Sequence, residues 1–509
     1  MASSLIWGQY VVVKAEDDRS ITIDNGAVYQ EDGVIRDVGP YDVLKSKYTP
    51  DQVLGGPRFA VIPGLVNAHS HGRGLTTFQL GSVDDALELK LIRDWARRTT
   101  DPYLATLFSA MQLISGGVTT VMYNHIQAPP DVMADEARTV LKAFGEAGLR
   151  VAFSIYFGNQ NRLAYDDAQL LSTLPADLAD EVRGRIQRLE MPDEDYLDLV
   201  AELHRSYDKG ADGLVRVLVS PMNVQWCSER LLTKSREYAT RLGAPIHIHL
   251  AETVYQKLYA LRKFGVTPLR YLHNLGFLGP DVSLAHAVWV TEEDIRLLRQ
   301  TGAAVCHNPS SNLRFGSGTA PVLPMLNEGV PVALGTDGTS MNDEDDLFDE
   351  MRLALRLHRL PGIPVRAPTV HQVFKMATVN GAHVTGFTSV GTLETGQRAD
   401  LVLIDLQHPS APYLSPNVGI VELILARVRR SDVHTVVIDG EVVYREGRFP
   451  RLDQDAIVRE LQNNAARDQE AALAEGGRMA QRLVPYVQDF FQEWDHSGVE
   501  PYYAVNSRT

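Results

Sequence analysis

The chain is poor in cysteine, with two residues, Cys227 and Cys306, among 509. So few thiols exclude a disulfide framework and a thiolate metal cluster, and the expected compartment is the reducing cytoplasm. Positive charge is also in deficit, with 49 Lys and Arg against 64 Asp and Glu and a net charge of −15. Without a basic surplus to displace counterions, nucleic acid is not an expected partner. No apolar run approaches the length of a membrane span, and the N-terminus lacks the basic and apolar regions of a secretory signal. No membrane partner is expected either. What remains is ordinary for a globular chain, 44% hydrophobic and 22% charged, and long enough for a large core and more than one domain. The acidic balance suits a small neutral or cationic substrate.

Both ends of the chain read as strands. Residues 4–14, 21–23, 27–30 and 33–38 are separated by Asp-Asn-Gly and Glu-Asp-Gly turn signals. Residues 399–405 (A-D-L-V-L-I-D) and 433–444 (V-H-T-V-V-I-D-G-E-V-V-Y) have the same texture. Neither group has enough strands to bury its faces alone. The economical expectation is one small β-sandwich composed of residues 1–58 and 388–449, with 59–387 inserted between them. Residues 450–509 form a helical C-terminal extension in this reading.

The inserted stretch alternates strand-like and helix-like segments. Apolar runs of strand length lie at 118–123, 150–157, 213–219, 244–250, 282–286, 303–306 and 330–335. An eighth run, V-I-P-G-L-V-N-A-H-S-H at 61–71, precedes them. Eight strand–helix units make an α/β fold with a distorted TIM-like (β/α)8 barrel. In such a barrel the chemistry gathers where strands end, because the following loops surround one mouth.

Polar residues occupy those ends. The first run ends in His69 and His71, which the two-residue period of a strand puts on one face. The fifth ends H-I-H-L-A-E (247–252), the sixth in His286 and the eighth in G-T-D-G (335–338). Singly, each of these side chains reads as an ordinary buried polar group. Together, neutral imidazoles plus a carboxylate suit a borderline divalent ion such as zinc or ferrous iron, with a position left for water. The water, its pKa lowered, needs a carboxylate to carry its proton to the leaving group. Glu252, three residues past His249, is of the right type in the right place. His247 shares a strand face with His249, but Glu252 is spaced from His249, so His247 is assigned behind the ligands.

These stretches resemble the amidohydrolase superfamily, in its cytosine-deaminase-like and chlorohydrolase-like branch of aminohydrolases. The resemblance is carried by P-G-L-V-N-A-H-S-H (63–71), H-I-H-L-A-E-T (247–253), L-A-H-A-V-W-V-T-E-E-D-I (284–295) and H-N-P-S-S-N-L-R-F-G-S-G (307–318). V-A-L-G-T-D-G (332–338) and G-T-L-E-T-G-Q-R-A-D-L-V-L-I-D (391–405) follow in the same order. It implies one divalent metal ion, zinc first and iron second, held by His69, His71, His249 and Asp337. It implies Glu252 as proton shuttle, His286 as the group that orients water or the developing oxyanion, and Asp337 as a further proton acceptor. No lysine matches the bridging lysine of binuclear branches, which favours one metal. The implied reaction is addition of activated hydroxide to an electron-poor ring carbon with loss of ammonia, on a purine, pyrimidine, pterin or triazine. The same site would serve an amide, urea, carbamate or aryl halide, and a non-catalytic scaffold would have no use for the ligands plus Glu252.

Candidate substrate contacts are Arg73, after the His69–His71 pair, and His125, past the second strand. Asn223, Gln225 and Trp226 in the fourth loop, with Asn308 and Asn312 past the seventh strand, complete the set. In the extension, Leu483, Val484, Tyr486, Phe490, Phe491 and Trp494 form an apolar cluster. It is expected to pack on a neighbouring subunit, as in a homodimer or higher homo-oligomer, to cover the mouth, or to pack on its own barrel.

Overall fold

A computed structural model describes residues 3–72, 74–338, 340–363 and 366–499. Arg73, one of the expected substrate contacts, lies outside the described residues. The N-terminal strands β1 (Ser3–Ala15), β2 (Ser20–Glu31), β3 (Val34–Pro40) and β4 (Gln52–Pro63) share one sheet with three strands from the far end. Those are β14 (Leu401–Asp405), β15 (Val433–Ile438) and β16 (Glu441–Arg445), in the order β16-β15-β14-β4-β1-β2-β3. β4 joins the two ends of the chain. It runs parallel to β1 and antiparallel to β14, and it continues in the sheet past residue 58, the boundary expected from sequence, to Pro63. The sheet curls until its β3 edge reaches the segment before β14, through a Val34–Arg398 bridge. Ile6, Val11, Val28, Ile35, Val61, Leu401 and Leu403 fill the enclosed core.

The barrel strands are β5 (Leu65–Ser70), β6 (Val118–Ile126), β7 (Arg150–Phe157), the interrupted pair β8 (Val215–Val217) and β9 (Ser220–Pro221), β10 (Ile246–Leu250), β11 (Val282–His286), β12 (Ala304–His307) and β13 (Val332–Leu334). They form two parallel sheets, β5 to β9 and β10 to β13. Two isolated parallel bridges join the sheets, Val219–Ile246 on one side and Ser70–Asp337 on the other. With strands buried on both faces, apolar runs rather than alternating patterns are what the sequence shows. The structure therefore has the eight-strand barrel expected.

An ion pair fastens the curled sheet to the barrel. Arg150, at the start of β7, is fully buried and grips Asp400, just before β14, with two hydrogen bonds of 2.8 and 2.9 Å. The bidentate geometry offsets the cost of removing both charges from water, and Asp439 adds a further acidic neighbour at 3.6 Å. Among the described residues no helix is long and apolar enough to cross a membrane.

Candidate active site

The barrel closes where the site lies. Across the Ser70–Asp337 bridge, the Asp337 N–H donates to the His69 carbonyl at 2.9 Å, and the His71 N–H to the Asp337 carbonyl at 3.4 Å. Side chains from the first and last strands are thereby neighbours. The Asp337 carboxylate comes within 3.2 Å of His71 Nε2 and 3.5 Å of His69 Nε2. In the other sheet, the β10–β11 register sets Leu250 beside His286, so His249 and His286 emerge at one level. Ala251, His286, Ala287 and Asp337 all have positive φ, 47°, 75°, 48° and 56°. Side chains other than glycine are disfavoured there, at a cost of about 1–3 kcal/mol each. Of these four, His286 and Asp337 line the cavity.

Hydrogen bonds fix which nitrogen each imidazole shows to the cavity. His71 Nδ1–H donates to the Asn124 carbonyl at 2.8 Å, and His249 Nδ1–H to the Met222 carbonyl at 3.2 Å. Behind His69 stands a relay. Ser283 Oγ–H donates to the Ile246 carbonyl, so Ser283 Oγ accepts from His247 Nδ1–H at 2.7 Å. His247 Nε2 is then an acceptor, and His69 Nδ1–H donates to it at 2.8 Å. All three rings present a bare Nε2. Burial holds His69 down to about 4 and pushes His249 and His247 well below the ordinary histidine range, which favours the neutral rings that His69 and His249 need to bind a metal.

The donors fit a divalent ion. Ligand atoms of His69, His71 and Asp337, of His69, His249 and His286, and of Glu252, His286 and Asp337 each lie within 4.8 Å of one another. His69 Nε2 is buried without a hydrogen-bond partner, the state of a nitrogen built to bind something else. Burial works against the Asp337 carboxylate, but the imidazoles of His69 and His71 beside it outweigh that and hold it well below the usual carboxylate range. Ser311 Oγ–H also donates to it at 2.5 Å. Glu252 behaves oppositely. Burial, with the charges of Asp337 and Glu88 adding to it, pushes its carboxyl well above the ordinary value. Two carboxyl groups driven apart at one site give an acceptor and a proton carrier.

His71, Tyr156, Asn223, Trp226, His249, Glu252, His286 and Asp337 line the same cavity, with His69 buried beneath them. Asn223 Oδ1 accepts the backbone N–H of Trp226 at 2.9 Å and sets that loop. Asn308 and Asn312 stand behind His286 instead of on the cavity wall. Its Nδ1–H donates to Asn312 Oδ1 at 2.9 Å, and Asn308 Nδ2 lies 3.3 Å from the same nitrogen. Two further expected contacts also lie off the cavity wall. On β6, Asn124 faces inward to Ser154 and Ser220, so alternation turns His125 outward, against Phe153 and 3.6 Å from Glu136. Gln225 is buried away from the cavity, its carbonyl accepting from Gln160 and Asn161.

Sequence reasoning missed one wall of the cavity. Leu87, Lys90, Leu91 and Asp94 come from the helix Leu87–Arg93 and the turn Asp94–Ala96. Lys90 is 2% exposed and pairs with Asp94 at 2.7 Å and Ser82 at 2.9 Å. In sequence it is an ordinary charged helical stretch, with nothing to distinguish it from a solvated face.

Residues 60–443 match the model of the amidohydrolase family. The chain belongs to that family. It is 33% identical over 471 residues to a 5′-deoxyadenosine deaminase of Methanosarcina mazei, covering 91% of this chain and 98% of that protein. It is 31% identical over 466 residues to a 5-methylthioadenosine/S-adenosylhomocysteine deaminase of Nitratidesulfovibrio vulgaris, covering 89% and 96%. Among solved structures, an adenosine deaminase from Xanthomonas campestris with bound zinc has the same fold. Its TM-score is 0.75 at 24% identity, covering 91% of this chain and 97% of that one. This amidohydrolase is a metal-dependent hydrolase of carbon–nitrogen bonds.

Proposed function

We propose that this amidohydrolase deaminates an adenine nucleoside lacking the ordinary 5′-hydroxyl, of the 5′-deoxyadenosine or 5′-methylthioadenosine type. The reading rests on the convergence of His69, His71, His249, His286, Asp337 and Glu252 around one cavity. The similarity along nine-tenths of the chain to two deaminases of such nucleosides supports the choice of ring.

His69, His71, His249 and Asp337 would hold the divalent ion, for which zinc suits the histidine-rich donor set. When bound, such an ion supplies Lewis acidity, bringing water deprotonation into the neutral range. The remaining chemistry is that of the protein. Asp337, kept ionised, accepts a proton from the attacking water. His286, its proton held at Nδ1 by Asn312, turns a bare Nε2 to the cavity and orients the water through one of its hydrogens. Glu252 Oε2 lies 3.8 Å from that nitrogen. It delivers a proton to the ring nitrogen as oxygen adds to the amino-bearing carbon; as the adduct collapses, Glu252 takes back the hydroxyl proton, the proton held by Asp337 passes to the amino group, and ammonia leaves. Water and the amino compound are consumed, and the oxo compound and ammonia are formed. Trp226 and Asn223, on the cavity wall, offer a flat face and a polar edge to the base.

The test is a substrate panel with the metal-replete protein. One equivalent each of ammonia and oxo nucleoside is expected from 5′-deoxyadenosine or 5′-methylthioadenosine, with aminopyrimidines and aminotriazines much slower. Turnover of triazines or of amides alone would overturn the assignment.

A further inference from the structure

The C-terminal extension is seated against the back of the cavity wall that the sequence did not reveal. The wall segment turns Leu87, Lys90, Leu91 and Asp94 to the cavity. Its other side rests on the long helix Glu470–Gln492. Within that helix, Gly476 sits over the Trp95 carbonyl. A Cβ there would overlap the carbonyl oxygen and stand 2.9 Å from the carbonyl carbon, a separation real Cβ atoms do not adopt. The indole of Trp95 is covered by the Arg185 guanidinium at 4.6 Å.

The segment just after the wall is tied to the same extension. Thr99 N–H donates to Gln469 Oε1 at 2.9 Å and the Thr99 carbonyl accepts from Gln469 Nε2 at 3.0 Å. Asp101 N–H donates to Asn464 Oδ1 at 2.8 Å, and Arg98 donates to the Arg467 carbonyl at 3.1 Å. A second route leads from the helix to the catalytic loop. Phe491 packs on Tyr165, whose hydroxyl donates to Glu88 at 2.7 Å. Glu88 Oε1 also accepts from Thr253 at 2.5 Å, and Thr253 follows Glu252. Both routes end at the cavity.

The wall also borders the space left for the substrate. That space is about 70 Å³, whereas pockets for drug-sized ligands hold roughly 300–1,000 Å³.

We infer that the C-terminal helix is a positioning element for the substrate, and that Gly476, through Trp95, sets how closely the Leu87–Asp94 wall approaches the bound molecule. The helix thus acts on substrate binding from outside the family-matched residues, without touching the metal ligands. The kinetic arm of the test rests on the proposed deamination, and the structural arm does not.

The helix supplies its own control. Gly477 is the next residue, and a Cβ there would meet only the Ala96 Cβ at 3.7 Å, an ordinary contact. Replacing either glycine by alanine favours the helix by roughly 1 kcal/mol of propensity, so only the contact with Trp95 differs. With whichever nucleoside the wild type deaminates, Gly476→Ala is expected to raise KM about tenfold while kcat and metal content are kept, because contacts common to ground and transition states are lost. Gly477→Ala should match the wild type. Hydrogen–deuterium exchange of residues 87–101 should quicken in Gly476→Ala and stay unchanged in Gly477→Ala. Absence of nucleoside turnover by the wild type would count against the deaminase reading alone, and the exchange comparison would still decide the inference. Unchanged exchange and KM in Gly476→Ala would overturn it, as would equal effects of the two substitutions. A Gly476→Ala protein that loses metal together with activity would show a general structural role and overturn it too.

Discussion

His69 Nδ1 lies 2.8 Å from His247 Nε2, and the relay behind them ends at Ser283, bonded in turn to the Ile246 carbonyl. His247, assigned behind the ligands from its spacing, is the group that fixes the tautomer of His69. His247→Leu should weaken metal binding about 10–100-fold, measured by competition with a chromogenic chelator. Unchanged affinity would mean that His69 is oriented by something else. Ser283→Ala should weaken binding in the same direction and by less.

Asp337 is held ionised by His69 and His71 and takes a hydrogen bond from Ser311. Asp337→Ala removes a proposed metal ligand and a proposed proton acceptor together. Metal content or turnover should fall by at least about a hundredfold. An enzyme with normal zinc and normal rate would contradict the assignment of this carboxylate.

Arg150 and Asp400 tie the barrel to the curled sheet. Asp400→Ala leaves a buried guanidinium with its principal partner gone, which should cost about 3–5 kcal/mol in thermal or denaturant unfolding. The double replacement Arg150→Met with Asp400→Leu should recover much of that loss, since neither charge is then buried alone. A single variant as stable as the wild type would show that the pair contributes nothing to the joint.

Glu350 is 1% exposed, and burial pushes its carboxyl up to about 8, with a backbone N–H from Ser310 at 3.3 Å opposing the shift. A folded-state value above the unfolded one means the folded chain holds this proton more tightly. The stability it lends is complete below the ordinary carboxyl value near 4.5 and drains away as pH climbs to about 8. Glu350→Gln keeps a neutral side chain at every pH. Its unfolding midpoint should therefore gain on the wild type between pH 5 and 8 and stop gaining above that. A gap that does not change with pH would contradict the raised value.

Much of this fold was legible because fully buried parallel strands leave short apolar runs. Four of the eight runs lead to His69, His249, His286 and Asp337, where the barrel mouth gathers them. His125 was misread for a specific reason. One residue of alternation separates it from Asn124, and sequence does not say which of the two faces inward. Asn308 and Asn312 sat near the chemistry yet act through His286. The Leu87–Asp94 wall was invisible, since a buried Lys90–Asp94 pair and a solvated one have the same letters. The apolar cluster of the extension was plain in the sequence, but its partner was not. Leu483, Val487, Phe490 and Phe491 are buried within the same chain, beside Tyr165 and the wall.

The central claim is that Glu252 carries the proton in a metal-dependent deamination. The most direct test sets Glu252→Gln beside the wild type, with bound metal and ammonia release from 5′-deoxyadenosine measured on the same samples. Equal metal content and a turnover reduced by about 10²–10⁴-fold are expected, since the amide keeps the shape of the carboxyl but cannot pass a proton. Ammonia release at the wild-type rate from a fully metallated Glu252→Gln protein would contradict it.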